Sequence, residues 1–241
     1  MPERIADIWV YLSTTPLLGL TATLVAYQAG YWIYTKGNLN PLLNPVALAV
    51  ALLVTLLVTT GTPYATYFDG AQFVHFLLGP ATVALAVPLY GQLDKLKRML
   101  WPILGGLLAG SLTAVASAVG IAWALGASRE TVVSIAPKSV TAPIAMGISE
   151  KIGGLPSLTA ILVVSTGILG AVLARSVLNA MRLEDHSVRG FSVGVAAHGI
   201  GTARAFTVSE EAGAFAGLGM GLNALATALL FPLLAHWAGF F

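Results

Sequence analysis

The chain has 241 residues, of which 57% are hydrophobic and only 9% charged, with a mean hydropathy of +0.85. Soluble domains carry about 25% charged residues, so a water-soluble fold of this length, which could not cover its surface, is excluded. The net charge of +2 comes from twelve Lys and Arg dispersed along the chain, a pattern that argues against nucleic-acid binding; the absence of cysteine excludes disulfides, thiol catalysis and Cys-based metal sites.

The N-terminus opens on Glu3, Arg4 and Asp7 before a long apolar stretch. It is too long and too acidic at its start for a cleaved signal or transit peptide and reads as the first membrane helix. Uncharged runs cover 8–35, 37–68, 70–93, 99–128, 152–174 and 212–241, each longer than the roughly 20 residues that cross a hydrocarbon core. No ten-residue segments alternate as in a barrel, and only helices satisfy the backbone within one segment. The expected fold is an all-α polytopic membrane protein with about six full transmembrane helices. Linkers are short, which predicts one membrane domain over 1–241, with 1–128 as a scaffold part and 129–241 as a transport part. Helices near 9–34 and 43–60 are expected to supply a homodimer interface, by analogy with carriers that need a fixed scaffold.

Two basic loops, with Lys95, Lys97 and Arg98 at 93–100 and Arg175, Arg182 and Arg189 at 175–189, should both face the cytoplasm. Between them lie helices at about 101–126 and 156–178 with the segment 131–149 in the middle, and three crossings would put one loop on the wrong side. The parity is restored if 131–149 enters and returns on one face. Its run Pro137-Lys138-Ser139-Val140-Thr141-Ala142-Pro143 suits such a break, since each proline removes a donor and disfavours helix before it.

A second polar segment, 190–209, contains Gly194, Gly199 and Gly201 with His198 and Arg204. At an offset of 60 residues the two regions align Arg129 with Arg189, Ser149-Glu150 with Ser209-Glu210, and Lys138 with His198. A hairpin plus one helix in each copy makes the copies inverted, an arrangement whose binding site lies at the membrane midplane between broken elements.

A lysine roughly 12 Å below the surface, as Lys138 is by its distance from Glu130 and Glu150 at 1.5 Å per residue, is costly unless paired or wet and marks function by default. Beside it Ser139 and Thr141 offer hydroxyls, and a broken helix exposes partly positive N–H groups. Across the repeat, His198-Gly199-Ile200-Gly201-Thr202-Ala203-Arg204 adds an imidazole, close backbone approach, a hydroxyl and a guanidinium able to grip a carboxylate. The expected substrate-binding set is therefore Lys138, Ser139, Thr141, His198, Gly199, Gly201, Thr202 and Arg204, and the expected ligand a small organic anion. A proton is the expected coupling ion, with His198, which titrates in the right range, and Glu150 or Glu210 as its carriers. His75, His186 and His236 lack metal-ligand spacing, and no nucleophile elbow or phosphate loop is present. Neither metal, cofactor nor enzymatic activity is expected.

The runs 137–146 and 198–204, with Gly153-Gly154, Asn40-Pro41-Leu42-Leu43-Asn44-Pro45, Tyr67-Phe68 and Pro80-Ala81 through Ala86-Val87-Pro88-Leu89-Tyr90, resemble the signatures of the LrgB/CidB, antiholin-like membrane protein family over nearly the whole chain. The plastidic glycolate/glycerate translocator carries a domain of this family, so the resemblance implies transport of small hydroxycarboxylates. Bacterial members are otherwise described as regulators of murein hydrolase activity and lysis, which implies a holin-like alternative. Without a transit peptide or a fused partner domain, the resemblance implies a bacterial inner-membrane location.

Overall fold

Asparagine and proline mark where the chain starts its early helices. In a computed structural model that describes residues 16–237, α1 (Pro16–Lys36) leads through a 3-10 turn (Pro41–Leu43) to α2 (Pro45–Thr60). The Asn44 side chain accepts from the Val46 and Ala47 N–H groups, Pro45 fills the first turn, and Gly61 closes the helix with φ 66°; this is the Asn, Pro and Gly punctuation that helix ends favour. Next come α3 (Tyr64–Phe76), α4 (Leu78–Ala84), α5 (Ala86–Tyr90), α6 (Leu93–Arg98), α7 (Leu100–Ala124), α8 (Arg129–Ile135), α9 (Ala142–Lys151), α10 (Pro156–Ala180), α11 (His186–Phe206) and α12 (Glu210–Trp237). The described residues contain helices and no strand. Glu3, Arg4, Asp7 and the expected start of the first helix near residue 9 lie outside them.

Four runs among the described residues are long and apolar enough to cross a membrane: Tyr64–Tyr90, Leu100–Ala124, Pro156–Ala180 and Glu210–Leu230. The expected count of about six is not reached. Helix α1 has 21 residues, but Thr21, Thr23 and Gln28 dilute its apolarity, and α2 is apolar with 16 residues, about 24 Å at 1.5 Å per residue.

The chain divides into two compact units, Met1–Ala84 and Leu85–Phe241. In the first unit α1 packs on α2 and α3 through small residues: Gly30 lies against Pro45 and Ala49, and Gly19 against Tyr67 and Ala71. Backbones approach closely there, as in membrane helix pairs generally, and the Thr23 and Tyr67 hydroxyls share a 2.8 Å hydrogen bond.

The second unit is built around a core of Ile103 and Leu107 from α7, Phe191 and Val195 from α11, and Phe215 from α12. Two interrupted segments pack into it. In the first, α8 and α9 are joined by 136–141 and lie side by side: Val133, Ile148 and Ile152 form one cluster. The Thr159 hydroxyl of α10 donates to the Ser134 carbonyl at 3.0 Å and to Ser149 Oγ at 2.7 Å. In the second, α11 is broken at Ala197 (φ −127°, ψ 17°) and His198 (φ 41°, ψ −135°). Beyond the break the chain doubles back. A Cβ at Gly201 would stand 2.8 Å from Val193 Cγ1, whereas residues eight apart in an unbroken helix are about 12 Å apart along the axis. Helix α12 then runs beside the outgoing arm, with Gly190 against the Ala212 backbone and Gly194 against the Ala216 backbone.

Candidate functional site

The chemistry expected of these segments gathers at their two breaks. Lys138 occupies the turn between α8 and α9; it is half-buried, and its ammonium donates to Ser139 Oγ at 3.3 Å. Ser139 is 7% exposed and Pro137 fully buried. Thr141 stands at the N-cap of α9 with Pro143 in the first turn, so the partly positive N-terminus of a ten-residue helix opens beside the lysine.

His198 forms the second tip. A non-glycine residue with positive φ and this ψ is strained by on the order of 1–3 kcal/mol and persists only where its surroundings hold it. The restraints are visible. His198 is 4% exposed, its Nε2 lies 2.9 Å from the Val163 carbonyl of α10, and its own carbonyl accepts from the Thr202 hydroxyl at 2.8 Å. Gly167 gives the ring room, since a Cβ there would come within 2.7 Å of His198 Cε1.

Asn223 of α12 ties the tips together. Its Nδ2 donates to the Ser139 carbonyl at 3.2 Å and to the Val195 carbonyl at 3.0 Å, while its Oδ1 accepts from Ser111 of α7 at 2.6 Å. Sequence reasoning missed Asn223. The signal was present as an amide inside the uncharged run 212–241, because a polar group at that depth needs partners. Val163 contributes only a backbone carbonyl and left no signal.

Through Asn223 the structure ties the turn of Lys138 and Ser139 to the arm that ends at His198, with Thr141 at the adjoining cap, Thr202 tied to His198, and Gly199 near Met220. It does not bring Arg204 to them. Six residues of returning helix carry Arg204 about 9 Å further along the axis, where its Nη1 donates to Thr207 at 2.6 Å. Gly201 packs between Val193 and Ala197, so its lack of a side chain serves the contact between the arms. Glu150 ends α9 and Glu210 begins α12, both exposed and both remote in sequence from the tips. Among the described residues no group of His, Asp and Glu could hold a metal ion.

The loop face is organised by Lys95, which pairs with Asp185 at 2.8 Å and Glu211 at 2.6 Å. This joins the two basic loops on one side, as the distribution of positive charge requires. Asp185 also caps α11, accepting from the Ser187 and Val188 N–H groups and from the Ser187 hydroxyl.

Helices of this length and apolarity define a helical membrane protein. A family model described as the LrgB-like family matches residues 23–237, and the chain belongs to that family. It is similar to the uncharacterized protein YwbG of Bacillus subtilis, with 38% identity over 71% of this chain and 76% of the relative. Holin-like protein CidB of Staphylococcus epidermidis is 32% identical over 90% of this chain and 95% of its own. Antiholin-like protein LrgB of Bacillus mycoides is 30% identical over 93% and 98%. No solved structure matches.

Proposed function

We propose that this chain is a secondary transporter of small monocarboxylates such as glycolate and glycerate, coupled to protons and resident in a bacterial inner membrane. The observation that carries the reading is a lysine in the turn of one broken segment, beside Ser139, with that turn tied through Asn223 to the arm that ends in the restrained break at His198, deep in a unit of apolar helices. A cation at such depth is retained at a cost of several kcal/mol unless it has a partner, and a carboxylate can supply that partner. The hydroxyls of Ser139 and Thr141 and the α9 N-terminus add donors suited to an anion. His198 is the coupling candidate that touches this cluster.

An inverted pair of hairpin-plus-helix units is part of the proposal, and the contacts support it. Val163 on α10 holds the tip at His198, and Asn223, 60 residues later on α12, holds the tip at Ser139. Each helix thus grips the other unit's break, as a two-fold relation between the copies requires. In this reading 129–241 moves the solute by an elevator-like step against a dimeric scaffold drawn from 1–128, and no catalytic step is involved.

A second reading is a holin- or antiholin-like protein that modulates murein hydrolase activity and lysis. The names of the relatives, holin-like CidB and antiholin-like LrgB, favour it over the transport reading. A scaffold of that kind has no use for a lysine at the tip of a broken helix, which is the point on which the two readings part. Uptake of labelled glycolate into proteoliposomes decides between them. Lys138→Ala is expected to lower substrate-dependent flux by about 10- to 100-fold, the loss of one charge-assisted hydrogen bond; flux that is absent or unselective in the parent protein refutes transport.

A further inference from the structure

A cavity of about 280 Å³ opens at the loop end of the second segment, away from the tips. Its walls are apolar, from Ala171, Ala174, Leu178, Val193, Val208 and Ala212 among others, and its cationic groups are Arg175, Arg189 and Arg204 with the imidazole of His186. None of the residues lining it is acidic. The nearest carboxylates in sequence, Asp185 and Glu211, are engaged by Lys95. Arg189 is fixed in place, since its Nη1 donates to Asn179 Oδ1 at 2.8 Å and to the Leu183 carbonyl at 2.9 Å, and a guanidinium has five N–H donors in all. Three successive stretches of chain, the end of α10, the start of α11 and its returning arm, each deliver one arginine to the same hollow.

We propose that this cleft is an anion site separate from the tip cluster, one that takes an oxyanion, carboxylate or phosphate, carried on an apolar body. Guanidinium forks match such oxyanions bidentately, and the Ala, Leu and Val walls accept the hydrocarbon part. Three guanidinium groups lining one cavity attract an anion, and the apolar walls strengthen that attraction. The position at helix ends beside the basic loops suits two sources of that chemistry: an amphiphilic acid from water, or an anionic lipid headgroup from the leaflet on that side.

The test is arginine labelling by phenylglyoxal, quantified for each residue by mass spectrometry, on the full chain in phosphatidylcholine nanodiscs. Octanoate is expected to protect Arg175 and Arg204 several-fold and saturably, with Arg98 and Arg182, exposed and outside the cleft, unchanged. Protection by phosphatidylglycerol incorporated in the disc, and not by octanoate, assigns the same site to a lipid headgroup. Arg175→Gln, at an exposed position, is expected to raise the concentration that protects Arg204 by about tenfold, and Arg175→Lys to recover part of it. Labelling that neither probe changes, or that falls equally at all four arginines, overturns the proposal. Because the readout is labelling and not flux, its failure leaves the tip site untouched, and failure of uptake leaves the cleft untouched.

Discussion

Asn223 is 1% exposed and has four partners: the Ser139 and Val195 carbonyls, Ser111, and Thr227 at 3.5 Å. A buried amide is tolerated only when bonded in this way. Asn223→Leu keeps the branched shape but strands two carbonyls and two hydroxyls, at about 1–3 kcal/mol for each group left unsatisfied. Scanning fluorimetry in detergent is expected to show Tm lower by several degrees, and an unchanged Tm would contradict the bridging role. Lys138 and His198 were legible in the sequence because a cation between two prolines, and a histidine before Gly-x-Gly, are anomalies in an apolar chain. Arg204 was misplaced because nearness in sequence was read as nearness in space, and a helical arm separates the two. Asn223 was in view, but an amide does not announce which carbonyls it serves.

At the scale of elements, the second segment depends on residues without side chains. Gly194 lies against the Ala216 backbone, whereas Gly221 has nothing within 4 Å of a built Cβ. Gly194→Ala is expected to force α11 from α12 and cost about 1–3 kcal/mol by overpacking. Gly221→Ala is expected to be neutral or to stabilise by up to about 1 kcal/mol through helix propensity. Thermal melts of the two variants check the contrast, and equal shifts would show that Gly194 is not a packing contact. Sequence reading took the glycines of 190–209 as flexibility and access for a ligand. Composition shows that a backbone can approach something, and only the fold shows that Gly190 and Gly194 meet α12 and Gly201 the opposite arm. The breaks themselves were legible, from proline at 137 and 143 and from the polar run at 198–204. The span count was not, because the uncharged runs 8–35 and 37–68 conceal a first helix diluted by Thr21, Thr23 and Gln28 and a second of 16 residues.

Across the whole molecule, the Lys95–Asp185–Glu211 cluster joins α6, the start of α11 and the start of α12 on one face. The Lys95 ammonium, with Ser187 and the Val188 N–H, holds the Asp185 carboxyl well below the usual range, and Asp185 and Glu211 hold the lysine above its own. A depressed carboxyl contributes stability that is present above its unfolded value, about 4, and is lost as pH falls below it. A raised lysine contributes stability that is present below about 10.4 and is lost as pH rises through the folded value. The cluster is partly exposed, so its worth is under about 1 kcal/mol. Lys95→Met is therefore expected to shrink the fall in Tm between about pH 5 and pH 3 by a small amount; an acid limb identical to the parent's would contradict the assignment.

In the proposed transport reading the two broken segments enter from opposite faces, one carrying Lys138 and the other His198. The chain has no cysteine, so single substitutions report sidedness without background. Ser128→Cys, at the entrance to the first segment, and Arg182→Cys, ahead of the second, are to be labelled with a membrane-impermeant maleimide in intact cells and in inside-out vesicles. Ser128→Cys is expected to react only from outside the cell and Arg182→Cys only from the cytoplasmic side; labelling of both from the same side would contradict the opposed entry of the two segments.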